Sequence, residues 1–231
     1  MPNLIDFHAH ILPGADHGSK SRDTSVKQLE LIKNTGADTV IATPHFYPSN
    51  TKVEDFLKRR EFCSEKLLDS EAPKMGVRVI TGAEVLVCEG MERMTDLEKL
   101  CIPGTNTMLL ELPVTEWTEG LFETVERISE HHTVVLAHID RYPLSDVLQF
   151  LEFKSVFAQM NPGELTKLFL NKKYLELIDK GWVAALGSDL HSTNEKQTAT
   201  FKKAVKKLGN ERIEKIMTRS AELIKDAKYL I

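Results

Sequence analysis

The chain has 231 residues, a formal net charge of −4, 42% hydrophobic residues and 28% charged ones. That length suits one large α/β domain or two small ones, and the acidic balance argues against nucleic-acid binding by bulk electrostatics. No apolar run approaches the roughly 18 residues of a membrane span and no charged-then-apolar leader opens the chain, so a cytoplasmic protein without membrane insertion is expected.

Short apolar, β-branched runs alternate with amphipathic stretches along the whole chain. The first predicted strand, Leu4–His8, leads through Asp6-Phe7-His8-Ala9-His10 into a loop carrying Asp16-His17-Gly18. Side chains at i and i+2 of a strand share a face, so His8 and His10 point the same way. A helix over Ser21–Asn34, with Val26, Leu29 and Ile32 about three apart, ends at Gly36 as its cap. The strand Thr39–Thr43 runs into Pro44-His45, and a helix follows over Glu54–Leu68. The strand Arg78–Thr81 leads to Gly82-Ala83-Glu84, and the strand Thr107–Leu112 carries Glu111. After a helix over Thr118–His131, the strand Thr133–Ala137 ends in His138-Ile139-Asp140-Arg141. The strand Ser155–Met160 precedes a long helix over Glu164–Lys180, closed by Gly181. The strand Trp182–Leu186 ends in Gly187-Ser188-Asp189-Leu190-His191, where Asp189 and His191 repeat the i, i+2 pattern. Helices over Glu195–Leu208 and Glu211–Lys225 complete the chain, with no repeat or linker, so residues 1–231 read as one domain.

Strict strand–helix alternation implies a parallel sheet with helical crossovers. An open doubly wound sheet usually carries a phosphate loop, and neither G-x-G-x-x-G nor G-x-x-x-x-G-K occurs, so a seven-stranded barrel is expected. Six of the eight histidines fall at or just beyond a predicted strand's C-terminal end, the active face of a parallel barrel. Glu84 and Glu111 sit in or beside apolar strands, where a carboxylate without partners is costly to bury and a cation removes that cost. His131 and His132 lie away from any strand end and read as solvated or packing residues, whereas Asp6 reads as a supporting partner of the histidine pair. The candidate metal ligands are therefore His8, His10, His17, His45, Glu84, Glu111, His138, Asp189 and His191. Nine ligands of mixed imidazole and carboxylate type suit two to three divalent ions, with manganese, iron or zinc favoured over calcium or magnesium. Such clusters suit phosphoester hydrolysis, with Arg141 as the phosphate fork. The three cysteines, Cys63, Cys88 and Cys101, form no close pair, and the residues six beyond them are Asp69, Met94 and Thr107. A cysteine phosphatase needs arginine at that spacing, so a cysteine-based phosphatase is not expected.

These motifs together resemble the PHP (polymerase and histidinol phosphatase) superfamily, and within it the bacterial manganese-dependent protein-tyrosine phosphatases of capsule and exopolysaccharide operons. The resemblance rests on D-x-H-x-H-I-L-P-G at the N-terminus, I-A-T-P-H (Ile41–His45), G-x-E (Gly82–Glu84), L-E-L-P (Leu110–Pro113), A-H-x-x-R-Y (Ala137–Tyr142) and S-D-x-H (Ser188–His191). It implies a distorted TIM-like (β/α)7 barrel of PHP type with a trinuclear site of divalent ions, manganese being the expected metal. It further implies direct attack by a metal-activated hydroxide without a phosphoenzyme, on a phosphotyrosine protein such as a bacterial tyrosine kinase. Catalytic roles carry over to Arg141, to His45, and to Lys196, which stands where the family has a second substrate arginine and lacks its bidentate fork. His17 stands where the family's D-D-G loop places an aspartate ligand, and Ala137-His138-Ile139-Asp140-Arg141 replaces A-H-P-E-R. The competing readings are a small-molecule phosphatase such as histidinol phosphatase, an amidohydrolase, and a metal-stabilised module without turnover. An amidohydrolase would want a bridging lysine on the fourth strand, where this chain offers Glu111.

Overall fold

Ser21 and Gly36 bracket the first helix as its sequence predicts. In the computed structural model, which describes residues 3–168 and 171–231, α1 spans Arg22–Thr35. The Ser21 side chain accepts from the Thr24 N–H, and Gly36 closes the helix at φ 94°, a left-handed conformation that favours glycine. The strands are β1 (Leu4–Ala9), β2 (Ala37–Ala42), β3 (His45–Phe46), β4 (Arg78–Thr81), β5 (Glu84–Leu86), β6 (Thr107–Glu111), β7 (Thr133–Leu136), β8 (Val156–Met160) and β9 (Val183–Leu186). The remaining helices are α2 (Val53–Leu68), α3 (Glu119–His131), α4 (Leu144–Leu151), α5 (Pro162–Leu165), α6 (Lys172–Lys180), α7 (Glu195–Leu208) and α8 (Asn210–Leu223).

All seven predicted strands are present, but two of them are interrupted. The second and third continue after a short break as β3 and β5, which shift neighbours at the break. One parallel sheet runs β1-β2-β4 and a second runs β3-β5-β6-β7-β8-β9. Backbone bonds beyond the ladders join them: Gly82 N–H donates to Ala42 O at 2.8 Å and Glu84 N–H to Pro44 O at 3.1 Å. At the other junction Asp189 N–H donates to His8 O at 2.8 Å and His10 N–H to Leu190 O at 3.0 Å. The strands thus follow one another around a distorted parallel α/β barrel whose C-terminal strand ends converge. Phe7, Phe46, Phe150 and Phe201 are among the large side chains fully buried in the core.

Three local expectations are corrected. The long helix expected over Glu164–Lys180 is two pieces, α5 and α6. Asn171 starts the second by accepting from the Lys173 N–H, a capping role that a continuous helix would deny its side chain. Helix α4 was not among the expected helices; it is only eight residues long and follows Pro143 directly. The last strand ends at Leu186 as expected, but Asp189 and His191 do not repeat the extended geometry of the first histidine pair, because Asp189 adopts φ 52° and turns the chain there.

On the edge of β4 that faces away from β2, the chain's last residues form a strap. Leu230 N–H donates to Val79 O at 2.7 Å and Val79 N–H to Ile231 O at 3.2 Å, while Tyr229 pairs antiparallel with Ile80.

Candidate metal centre

Asp6, His8 and His10 share one face of β1 and its extension, and all three are buried. The Nε2 atoms of His8 and His10 lie 3.1 Å apart, and each is 3.3 Å from Glu84 Oε2 and 3.5 Å from Asp189 Oδ1. His45 Nδ1, from β3, stands 2.9 Å from Glu84 Oε2 and 3.8 Å from Glu111 Oε2. His138 Nε2 approaches the same two carboxylates at 2.8 Å (Glu84 Oε1) and 3.6 Å (Glu111 Oε1). His191 stacks on His10 with ring centroids 3.8 Å apart, and its Nδ1 is 3.3 Å from Asp189 Oδ1. The structure therefore gathers eight of the nine predicted ligands around Glu84 and Asp189. Three overlapping groups bring their ligand atoms within 4.8 Å of one another: His10, His45 and His191; His8, His10 and Glu84; and His45, Glu84 and Glu111.

His17 is the ninth, and it stands apart. Its side chain is exposed at the rim, stacked on His45 and His191 with ring centroids 4.8 and 4.6 Å away. Its neighbour Asp16 turns inward instead. Asp16 Oδ2 lies 2.6 Å from His10 Nδ1 and accepts from the His45 N–H at 3.1 Å, while Oδ1 accepts from the Gly18 N–H at 2.8 Å. A carboxylate on the far ring nitrogen fixes the tautomer, leaving His10 Nε2 free to act as a ligand. Asp6, expected to support the histidines, reaches no ring. Its Oδ1 accepts from the Ser188 N–H at 2.8 Å and the His8 N–H, tying β1 to the loop after β9, and burial raises its carboxyl to about 6.

A residue without a predicted role serves His8 in the same way that Asp16 serves His10. Gln159, fully buried on β8, places Oε1 3.2 Å from His8 Nδ1 and accepts from the His138 N–H at 2.7 Å. Two glycines make room for the pair. A Cβ on Gly187 would lie 2.5 Å from His8 Cβ, and one on Gly18 would lie 2.3 Å from His10 Cβ. No side chain fits at either position without displacing a histidine.

The chemistry of these donors suits a cation. Six buried side-chain atoms of His45, Glu84, His138, Asp189 and His191 have no hydrogen-bond partner, a cost that folded proteins rarely carry without a ligand. Burial and the nearby Glu84 charge hold the Glu111 carboxyl above its ordinary value. Burial opposes ionisation of Asp189 too, but His8, His10, His191 and Arg141 outweigh it and hold that carboxyl low. Three carboxylates and five imidazoles crowded together call for divalent charge, and the donor set fits it.

Arg141 stands at the edge with its guanidinium on Asp189, its side chain 49% exposed and so open to a ligand. Lys196 lies on the first turn of α7, exposed, with its backbone N–H bonded to Asn194 Oδ1 at 3.0 Å. The thiols take no part: burial pushes Cys63 and Cys88 up and Cys101 to about 11, so none is a ready thiolate. His131 and His132 lie at the end of α3; His132 Nδ1 faces Asn106 Oδ1 at 2.7 Å, away from the cluster.

A family model for capsular polysaccharide synthesis, CpsB/CapC, matches residues 4–225. The chain belongs to the CpsB/CapC family. Among its relatives, the tyrosine-protein phosphatase YwqE of Bacillus subtilis (strain 168) is 26% identical over 239 residues, covering 96% of this chain and 91% of YwqE. The tyrosine-protein phosphatase CpsB of Streptococcus pneumoniae is 25% identical over 216 residues, covering 84% of this chain and 85% of its own. In fold, the CpsB/CapC chain matches a structure from the work on YwqE and CpsB, described as unique metal-dependent tyrosine phosphatases. That match has a TM-score of 0.76 at 21% identity, covering 97% of this chain and 96% of the other. A more distant likeness, TM-score 0.55 at 13% identity, is to the L-hydantoinase of Arthrobacter aurescens, of which 71% is covered. Among the described residues of this CpsB/CapC protein, no helix is long and apolar enough to cross a membrane.

Proposed function

We propose that this CpsB/CapC protein hydrolyses phosphate monoesters, with phosphotyrosine in a protein as the substrate class. The observation that carries the reading is the cluster of buried imidazoles and carboxylates, several of their atoms unpartnered, beside a half-exposed guanidinium. His8, His10, His45, Glu84, Glu111, His138, Asp189 and His191 would hold two to three divalent ions, with manganese favoured and iron or zinc as alternatives. His17 would join them from the rim, its exposed ring already against those of His45 and His191. Bound there, such ions acidify water and neutralise phosphoryl oxygens.

The chain's own residues supply the rest. Asp16 and Gln159 hold His10 and His8 by their outer nitrogens, so the inner ones stay aimed at the centre. Arg141 offers a fork of N–H donors to the phosphate oxygens from a half-exposed side chain whose guanidinium rests on the buried Asp189. Lys196, exposed on the first turn of α7 next to Gln197, whose side chain reaches Asp189 O, would add a second cation as a point charge. His45 serves catalysis as a ligand shared between neighbouring groups. No cysteine is needed, so no phosphoenzyme forms on a thiol.

The physiological partner in this reading is a phosphorylated bacterial tyrosine kinase of capsule or exopolysaccharide synthesis, supported by the family's description and the names of its relatives. The three free cysteines fit the reducing cytoplasm, and residues 1–231 act as one catalytic unit. The test compares a phosphotyrosine peptide with histidinol phosphate under identical manganese conditions, with a chelator control. Higher kcat/KM on the peptide, abolished by chelation, is expected. A strong preference for histidinol phosphate overturns the phosphotyrosine assignment, and chelator-resistant turnover overturns the metal mechanism.

A further inference from the structure

Glu111 and His138 each lead directly into one wall of a groove of about 580 Å³. Past Glu111 the chain supplies Pro113, Val114, Glu116 and Trp117; past His138 it supplies Arg141, Tyr142 and, in the first turn of α4, Asp146. Arg141 belongs to both places, since it lines the groove and its guanidinium rests on Asp189 of the metal cluster.

The aromatic part of the groove is rigid before anything binds. Trp117 Nε1–H donates to Pro113 O at 2.8 Å, Tyr142 O–H donates to Leu112 O at 2.7 Å, and the two rings meet edge-on with centroids 5.4 Å apart. Above them Val114 is 95% exposed, an apolar side chain held out at the rim. Among the described residues of the lining the carboxylates are Glu116 and Asp146, and the cation is Arg141, which is turned toward Asp189. The groove is thus apolar on its walls, acidic at its edge and continuous with the phosphate end of the site.

We propose that this groove is a specificity subsite for the polypeptide on either side of the phosphorylated side chain, selecting an apolar residue next to a lysine or arginine. The proposal rests on the phosphotyrosine reading above. Its reach follows from chain geometry: Val114 is three residues past Glu111, so the groove begins within roughly 10 Å of that carboxylate. An extended peptide spans that distance in about three residues, which places the selected positions one to three from the phosphotyrosine. Carboxylates at the edge would favour a cationic flank and oppose an acidic one, each exposed pair adding a modest preference.

The experiment measures kcat/KM of the manganese-loaded protein on two phosphotyrosine peptides that differ only in carrying leucine-lysine or leucine-glutamate beside the phosphotyrosine. p-Nitrophenyl phosphate serves as the small reference. The wild-type protein is expected to prefer the lysine peptide by about three- to tenfold. The pair Glu116→Lys and Asp146→Lys is expected to erase or reverse that ratio, and Glu116→Lys alone, at an exposed position, to reduce it if the double variant fails to fold. Val114→Asp is expected to lower the ratio of peptide to p-nitrophenyl phosphate turnover through KM. Equal rates on the two peptides, or a ratio unmoved by the lysine variants, overturns the subsite while leaving the phosphatase reading in place. Absence of turnover on every phosphate ester overturns both.

Discussion

Replacing Gln159 by leucine tests whether the metal centre depends on a residue that reaches no metal itself. Gln159 Oε1 accepts from the His138 N–H at 2.7 Å and faces His8 Nδ1 at 3.2 Å, and its Nε2 donates to Asn161 Oδ1 at 3.0 Å. Leucine fills much of the same space but accepts nothing, which strands two buried donors. At about 1–3 kcal/mol for each stranded group, the loss is roughly 2–6 kcal/mol of stability. That is a large share of the 5–15 kcal/mol typical of a folded domain. His8 also loses the acceptor that fixes its tautomer, an effect worth about 10- to 100-fold in metal affinity where such partners are removed, or roughly 1.4–2.7 kcal/mol. Manganese titration by calorimetry, with near-ultraviolet circular dichroism to show the fold intact, reads the second quantity; thermal unfolding of the metal-free protein reads the first. Manganese affinity within twofold of wild type in a folded Q159L protein refutes the claim that Gln159 orients His8.

The remaining predictions concern space and phosphate. Gly187→Ala puts a methyl group 2.5 Å from His8 Cβ and 2.8 Å from Gln159 Nε2, so a loss of about 1–3 kcal/mol together with weakened manganese binding is expected. Gly163→Ala, with nothing within 4 Å of the new atom, should leave the melting temperature and manganese affinity close to wild type; equal effects at the two sites would discredit the close-approach argument. Arg141→Ala should lower kcat on phosphotyrosine peptides by about 100-fold while metal content, read by elemental analysis, stays the same. Unchanged kcat/KM would remove Arg141 from phosphate binding.

Much of the site was legible because strand periodicity is a strong constraint. Two residues apart on an extended chain means one face, and His8 and His10 obey it; an apolar strand that carries Glu111 announces a compensated carboxylate. What was not legible depends on partners distant in the chain. Gln159 looks like any polar residue in a strand, and only the fold brings it within 3.2 Å of a histidine 151 positions away. Asp16 stood in the sequence beside His17, but which of the two turns inward is decided by hydrogen bonds to His10, Gly18 and the backbone of His45. The repeated spacing at Asp189 and His191 suggested a second strand-like pair, yet Asp189 turns the chain at φ 52°, and His191 reaches the cluster by another route. Apolar spacing also carried the predicted helix straight through the α5–α6 break, since a cap at Asn171 is a local competition that hydrophobic periodicity does not register.

The strap on β4 has a consequence at the end of the barrel remote from catalysis. Val79 gives both of its backbone groups to Leu230 and Ile231, and Ile80 pairs with Tyr229, which occupies the side of β4 that β2 leaves open. With the strap lifted, Val77-Arg78-Val79-Ile80 would present bare amide and carbonyl groups on an apolar, β-branched segment, the kind of template on which a second chain can add a strand. Tyr229, Leu230 and Ile231 therefore cover a strand edge that would otherwise be open to strand addition.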